Sequence, residues 1–559
     1  MKTDSEINFE SSYFGDKTLL ILVCLLMFLK RVFLIKYEIN YEEGKEIECI
    51  LNILDGKMAF RDFHWQYGPA GIYLVAFLFK VFDNVNLLTP RLMVTLIAVA
   101  TTFYSYRTAR LYLGPGWSFW ASLMASSGLV AREGTYGHGL AYLGMIGSFF
   151  HLATFFRIRR ERELLIAGGY VFVALLAKPI VFGIGALFSV SFCLIWWEIM
   201  VRQFPFPGRY LKVLLLTGLL PGTVFYSFLV HEVSLERMFH ELVPMASGTY
   251  NMGESMFFRP LFPSLNFSSF HDWIPKINSY LSSGFRWWTI VFSFTGGVFY
   301  LLMSKSGWRK DPQRYALFFF LLIYLLLIES ETLILVSRPI TFYINMLPCY
   351  ILMAMVLGWL ARLGRKRLVG AVATIFTIIY FFYPPVRLGI YYYKYGKPLG
   401  FPLVEMIKVP PYTLEGYRNI VEFVKNNAPD DKPFLFAGYD SFIYLFSEKK
   451  FFFQEDFTAF VKASFHPYNR KTAGRSLEFY QRVEENIVER VRRDTPGMIL
   501  LPSSGLTEKI YHSSVFLKYL EENWRVAKRL NKQISMGPFD KINLQMDVYF
   551  PKYAKLPIN

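Results

Sequence analysis

Charge and cysteine are what this chain has least of. Charged residues make up 18% of its 559 positions, against about a quarter in an ordinary soluble domain. That leaves too little polar side chain to clothe a water-facing globule of this length. The four cysteines, Cys24, Cys49, Cys193 and Cys349, are too few and too scattered for a disulfide framework or a zinc site. No glycine-rich stretch runs into Gly-Lys-Ser/Thr, which excludes a nucleotide-binding phosphate loop. Internal repeats and low-complexity segments are also missing. Apolar side chains are abundant instead: 53% hydrophobic and 18% aromatic, with a mean hydropathy of +0.30. Such a chain is not intrinsically disordered, and it reads as a polytopic α-helical membrane protein.

The formal charge of +17 would point to nucleic acid in a soluble protein. Its distribution argues against that partner, because no aromatic–basic binding module accompanies it. Basic residues cluster between apolar stretches at Arg157–Arg162, Arg202–Lys212, Lys305–Arg314 and Arg362–Arg367, whereas the alternate short connections carry one each, at Arg132, Lys178 and Arg338. This asymmetry is the positive-inside pattern. It places the clusters in the cytoplasm and the connections at 131–138, 231–286 and 329–341 on the extracytoplasmic side. The N-terminus is then cytoplasmic, with no cleavable signal peptide in evidence, and the membrane is of the bacterial inner or plasma type.

Apolar runs fall at about 18–36, 69–83, 90–109, 116–131, 139–156, 164–178, 180–201, 211–230, 287–303, 315–328, 342–361 and 368–386. About 11–13 transmembrane helices are therefore expected within a domain spanning residues 1–386. Between the loop 37–67 and the loop 131–138 the count is odd: three apolar segments where an even number of crossings is needed. One of them must lie in the interface, or a crossing is misdrawn. From residue 387 to 559 the pattern changes to that of a small extracytoplasmic α/β domain. Helices are expected at Thr413–Asn427 and Leu477–Arg493, and strands at Pro433–Gly438, Gly497–Leu501 and Met546–Phe550. The tail holds 26 Lys+Arg against 19 Asp+Glu, a mild excess that suits anionic headgroups or glycans as well as a plain solvated surface.

The first extracytoplasmic loop is the richest in chemistry. Ile47, Ile50, Leu51 and Leu54 recur at helical spacing and make one apolar stripe, closed by Gly56. Such a helix would lie on the membrane surface, with Glu42 and Glu43 at its start. A carboxylate there could accept a proton from an acceptor hydroxyl. Asn40 followed by Glu43 also fits a helix cap, which would leave Glu42 as the reacting group. Tyr67, Trp65 and His64 suit the C–H face of a sugar or an interfacial aromatic belt. His151, inside an apolar run, reads as a satisfied core histidine.

The series Glu42-Glu43-Gly44, Asp55-Gly56, Phe60-Arg61-Asp62 and Tyr67-Gly68-Pro69 resembles the first periplasmic loop of the polyprenyl-phosphate-dependent glycosyltransferases of the GT-C fold. That family includes the protein O-mannosyltransferases and the lipid A aminoarabinose transferase. Arg91-Leu92, Lys178-Pro179 and the stretch Tyr343–Pro348 after Arg338 are similar in kind. The resemblance implies an inverting transferase that moves a hexosyl or pentosyl group from a polyprenyl-phosphate carrier to a lipid, glycan or protein acceptor. It puts Glu42 where relatives carry Asp, one methylene longer, and Glu43 where they carry Glu, so both are catalytic candidates. Relatives often have a second acid after the fourth helix. Here no acid follows Gly134-Thr135-Tyr136, so either Glu133 or His138 substitutes or that function is absent. Substrate-binding candidates are Arg61, Asp62, Tyr67, Glu133, His138, Lys178, Arg338 and Tyr343, since a phosphate leaving group wants cations. No cofactor is expected; two adjacent carboxylates without a third ligand are thin grounds for a divalent cation.

Two other functions use the same composition. A transporter or flippase of a lipid-linked sugar would call for paired repeats and broken helices at matching positions, which the chain does not show. A polysaccharide ligase would concentrate His and Arg in the later loop, where His240, Arg259 and His271 do occur.

Overall fold

The computed structural model describes residues 9–39, 41–63, 65, 67–127, 136–202, 208–234, 238, 347–436, 442–449, 477–502, 514–537 and 540–552. Glu133, Arg338, Tyr343, most of the 231–286 loop and the apolar runs at 287–303 and 315–328 lie outside these residues.

α1 (Phe9–Leu34) carries the first apolar run. Its early turns are tied to one end of the bundle through Asp16, which accepts from Arg110 Nε at 2.7 Å and from the Tyr106 hydroxyl at 2.5 Å. α2 (Tyr41–Leu54) is the amphipathic helix of the first loop, and Gly56 ends it in the left-handed region at φ 83°. There follow α3 (Ala70–Phe82), α4 (Leu88–Ala109), α5 (Pro115–Ser127), α6 (Tyr136–Ile158) and α7 (Glu161–Ala177). Next come α8 (Ile184–Arg202), α9 (Gly208–Leu214), α10 (Leu220–Glu232), α11 (Leu347–Leu360), α12 (Lys366–Thr377) and α13 (Tyr383–Tyr395).

Three stretches among the described residues are long and apolar enough to cross a membrane: Leu88–Ala109, Tyr136–Ile158 and the continuous Tyr210–Glu232. Leu216, Leu220, Val224 and Phe228, spaced four apart, are each at least half exposed. In water that outward apolar stripe would be costly; against lipid chains it is the expected face. The described bundle is a membrane protein's.

α3 resolves the odd count of crossings. Its start lies with Gly71 against the backbone of Gly137, at the start of α6. Its end leads to Leu87, whose N–H donates to Leu403 O at 2.9 Å, and to Arg91, which reaches back to α2. Both ends of α3 therefore sit at one end of the bundle. The segment is apolar because it is buried along one face, with Ile72, Val75, Ala76 and Phe79 inward, and it does not traverse. α4, by contrast, is long and apolar enough to cross.

The C-terminal part adds β1 (Lys397–Pro398), β2 (Lys408–Val409), α14 (Pro411–Asn427), β3 (Phe434–Phe436), α15 (Phe442–Ser447), α16 (Leu477–Arg493), β4 (Met498–Pro502), α17 (Val515–Asn523), β5 (Trp524–Gly537) and β6 (Asp540–Pro551). Helix α13 itself continues past residue 386. β3, β4, β6 and β5 form one mixed sheet in that order, with β3 parallel to β4 and the other pairs antiparallel. Along β4, Met498 and Leu500 face one core, while Ile499 and Leu501 face another. A strand with both faces covered reads as an unbroken apolar run, and Met498–Leu501 is one. α16 and α17 cover the second face.

The first face decides where the site lies. Its core runs on without a break into α14, α15, α2 and α3, and includes Ile47, Ile50, Phe79, Ile420, Phe434 and Phe442. Backbone bonds reinforce the junction: Glu38 N–H donates to Lys408 O and Lys408 N–H to Lys36 O, both at 2.7 Å. The apolar stripe of α2, expected to face lipid, is thus largely buried in protein. Phe442 sits so close to Gly44 that a Cβ there would come within 2.9 Å of its ring.

Candidate functional site

Arg91, on the first turn of α4, is fully engaged. Its Nε and Nη2 donate to the two carboxylate oxygens of Glu43 at 2.8 and 2.6 Å. Its Nη1 donates to Ile35 O and Tyr37 O, and its Nη2 also to Glu38 O. A guanidinium has five N–H bonds, and all five are used. Both side chains are buried, Arg91 at 5% and Glu43 at 1% exposure. The pair joins the carbonyl end of α1 to the start of α2. Glu43 is therefore held in a fork-to-fork ion pair and does not stand open to solvent. Glu42 precedes it in the first turn of α2.

One turn on, Glu46 is also buried, and its Oε2 accepts the N–H of Tyr136 at 3.0 Å. The first residues of a helix carry orphan N–H groups and a positive dipole end, so this carboxylate caps α6 from another helix. Tyr136 itself is buried, and its hydroxyl has no hydrogen-bond partner among the described residues. Neither Glu46 nor its link to Tyr136 is visible in the sequence. The only hint is that Glu46 falls four residues before Ile50 on a helix whose apolar face is buried.

The third group forms where α7 stops. Pro179 cannot continue the helix and pushes the residue before it out of helical geometry; Lys178 accordingly has φ −153° and ψ 85°. This turns the Lys178 side chain toward α6, where Nζ lies 2.8 Å from His138 Nε2. The ammonium also sits 5.7 Å from the centre of the Tyr67 ring and 5.1 Å from that of Phe182, distances at which an aromatic face attracts a cation. Tyr67 meets His138 edge-on at 5.1 Å.

Gly68 makes that meeting sterically possible. Its N–H donates to Ala177 O at 3.1 Å, and a Cβ there would lie 2.1 Å from Leu176 O. Only a residue without a side chain lets the loop approach α7 this closely. Trp65, buried rather than belted in the interface, donates its Nε1–H to Gly68 O at 3.0 Å and closes the turn.

Arg61 and Asp62 lie apart on an exposed turn. The Arg61 guanidinium forks onto Asp62 at 2.9–3.2 Å and reaches Glu232 at 3.4 Å. Asp62 also accepts the Met58 N–H at 2.7 Å. Hydrogen bonding from Arg61 holds the Asp62 carboxyl below its ordinary range, helped by the Met58 N–H. His151 is satisfied on both nitrogens, by Glu163 at 2.7 Å and Tyr104 at 3.4 Å.

The structure thus brings together Tyr67, His138 and Lys178, locks Glu43 onto Arg91, and leaves Arg61 and Asp62 paired with each other. Among the described residues no three His, Cys, Asp or Glu side chains converge as a metal site requires.

No protein-family model matches the chain, and no curated protein sequence does either. Solved structures do. The crystal structure of the Archaeoglobus fulgidus oligosaccharyltransferase with zinc and sulfate superposes with a TM-score of 0.51 at 12% identity, covering 94% of this chain and 73% of that one. Its apo crystal structure gives a TM-score of 0.50 at 12% identity, covering 96% and 77%. The same archaeal enzyme, AglB, in complex with an inhibitory peptide and a dolichol-phosphate gives 0.50 at 12% identity, covering 98% and 75%. At this identity the likeness defines the fold: a membrane helix bundle with a C-terminal domain, fitting the GT-C architecture expected from the first loop.

Proposed function

We propose that this protein is an inverting glycosyltransferase that takes a sugar from a polyprenyl-phosphate carrier. The observation that carries the reading is the Lys178 ammonium, set between two aromatic rings at the end of the bundle where α2 delivers its acidic turn. The basic turns Arg157–Arg162 and Arg362–Arg367 lie at the opposite end of their helices. By the positive-inside rule the site therefore faces the extracytoplasmic side.

In this reading the acceptor oxygen attacks the anomeric carbon, and the bond from that carbon to the phosphate oxygen breaks. The acceptor proton passes to the Glu42 carboxylate, because Glu43 is committed to Arg91. The polyprenyl phosphate leaves carrying both bonding electrons, and Lys178 offers it a positive charge and N–H donors. Arg338 and Tyr343 are further candidates for the donor site, and Glu133 for the acceptor side. The segment 1–386 supplies the transferase and 387–559 the extracytoplasmic domain, whose shared core with α2 suits a part in holding the acceptor. The acceptor class is a lipid, glycan or protein hydroxyl, and no metal takes part in these steps. That the structural relative binds a dolichol-phosphate supports a lipid-phosphate carrier here.

The test follows radiolabelled polyprenyl-phosphate sugars in membranes containing wild type, Glu42→Gln or Lys178→Ala at equal protein level. Label leaving the lipid in wild type, and its loss in both variants, is the expected result. Release by Glu42→Gln at the wild-type rate moves the base elsewhere. No release by wild type from any lipid donor overturns the transferase reading in favour of a lipid transporter.

A further inference from the structure

We infer that His138 is a positioning residue: a neutral imidazole that aims the Lys178 ammonium at the donor phosphate. The inference rests on the transferase reading above, in which Lys178 meets that phosphate.

A lysine ammonium has three N–H donors and no acceptor. At 2.8 Å from Nζ, His138 Nε2 must therefore present its lone pair, which places the ring proton on Nδ1 and leaves the imidazole neutral. A protonated ring would have no lone pair to offer and would set two like charges in contact. The ring is also fixed in place. His138 is 8% exposed, Tyr67 stands against it at 5.1 Å and Phe182 at 6.4 Å. The preceding residue, Gly137, is wedged between Gly71 and the Ala177 carbonyl. Lysine, by contrast, carries its charge on a flexible four-carbon stem. One hydrogen bond to an immobile acceptor fixes where the other two N–H bonds point.

The acceptor's chemistry matters as much as its position. A carboxylate at the same place would hold the lysine equally well, but it would cancel the charge that an anionic leaving group needs. Imidazole accepts the bond and adds no charge.

Three substitutions at one position separate these effects. His138→Gln keeps a neutral acceptor, His138→Leu removes it, and His138→Glu keeps an acceptor and adds a negative charge. The full chain in detergent is titrated with a polyprenyl phosphate carrying no sugar. The expected order is His138→Gln within about threefold of wild type, with His138→Leu and His138→Glu weaker by roughly tenfold or more, the scale of one hydrogen bond to a charged group. In transfer assays the loss falls on kcat/KM for the lipid donor, because Lys178 meets the phosphate both in the bound donor and as it leaves. His138→Leu adds nothing in a Lys178→Ala background, since the residue acts through the lysine. Thermal unfolding of each variant checks that the fold survives, and rescue by His138→Gln keeps the inference testable if His138→Leu does not fold.

Gln binding as weakly as Leu, or an additive loss in the Lys178→Ala background, overturns the positioning role alone. Wild type that binds no polyprenyl phosphate, or Lys178→Ala that binds it undiminished, overturns the phosphate reading and this inference with it.

Discussion

Removing the carboxylate of Glu43 is the sharpest test of how the acidic helix is held. In Glu43→Ala, Arg91 loses two hydrogen bonds of 2.8 and 2.6 Å and stays in a buried site, still tied to the carbonyls of Ile35, Tyr37 and Glu38. Breaking a buried pair from one side costs about 3–5 kcal/mol, because the remaining charge goes uncompensated. For unfolding of the chain as one unit, the entropy at the midpoint is about 1.2 kcal/mol/K on the usual per-residue scale. The expected fall in Tm is then about 3–4 °C. The exposed pair supplies the control: Arg61→Ala breaks contacts of similar length at 44% exposure, where such pairs contribute about 0–1 kcal/mol, so its Tm should move by less than about 1 °C. Replacing both members, as Glu43→Leu with Arg91→Met, should not restore wild-type stability, because the three carbonyls at the end of α1 lose their donor. Differential scanning fluorimetry in one detergent reads all three. A Glu43→Ala midpoint within error of Arg61→Ala refutes the clamp, and so does full recovery in the double variant.

Other outcomes follow from the same geometry. Tyr136→Phe removes a buried hydroxyl without a partner, a group that costs about 1–3 kcal/mol when unsatisfied. Its Tm should hold or rise by up to about 2 °C, and a clear fall would mean that the hydroxyl is bonded in the native state. Gly68→Ala drives a Cβ toward Leu176 O and should cost about 1–3 kcal/mol while displacing Tyr67 from Lys178. Intact transfer by Gly68→Ala would show that the close approach is not needed. The Asp62 carboxyl is held below its ordinary range by Arg61. Its contribution to stability is therefore present above the unfolded-state value and is lost as pH falls through the lowered folded-state value. Wild type should lose slightly more stability than Asp62→Asn between pH 5 and pH 3 (an interval set by the ordinary Asp pKa of about 3.9), and parallel denaturation curves would refute it.

Sequence alone carried the elements whose cause is local. The stripe Ile47, Ile50, Leu51, Leu54 and the stop at Gly56 mark α2 because helical period and a left-handed glycine are short-range properties. Lys178-Pro179 marks a helix end because proline forbids continuation. Leu477–Arg493 is helical, as its periodicity gives, and the helix stops at Arg493. The positive-inside pattern fixed an alternation and exposed an odd count, but not which segment caused it. α3 and a crossing helix are equally apolar, and only the tertiary structure shows both ends of α3 on one side.

Helix α17 and strand β5 were not legible, since β5 depends on its register with β6 more than on its own alternation. Nor could the sequence pair Glu43 with Arg91, Glu46 with the N–H of Tyr136, or His138 with Lys178, which stand 48, 90 and 40 residues apart. Periodicity tells which face of a helix is apolar. It carries no information about what is placed opposite that face, and for α2 the answer was protein rather than lipid. Residue chemistry proposed the candidates; packing of α2, α6 and α7 at one end of the bundle decided which of them meet.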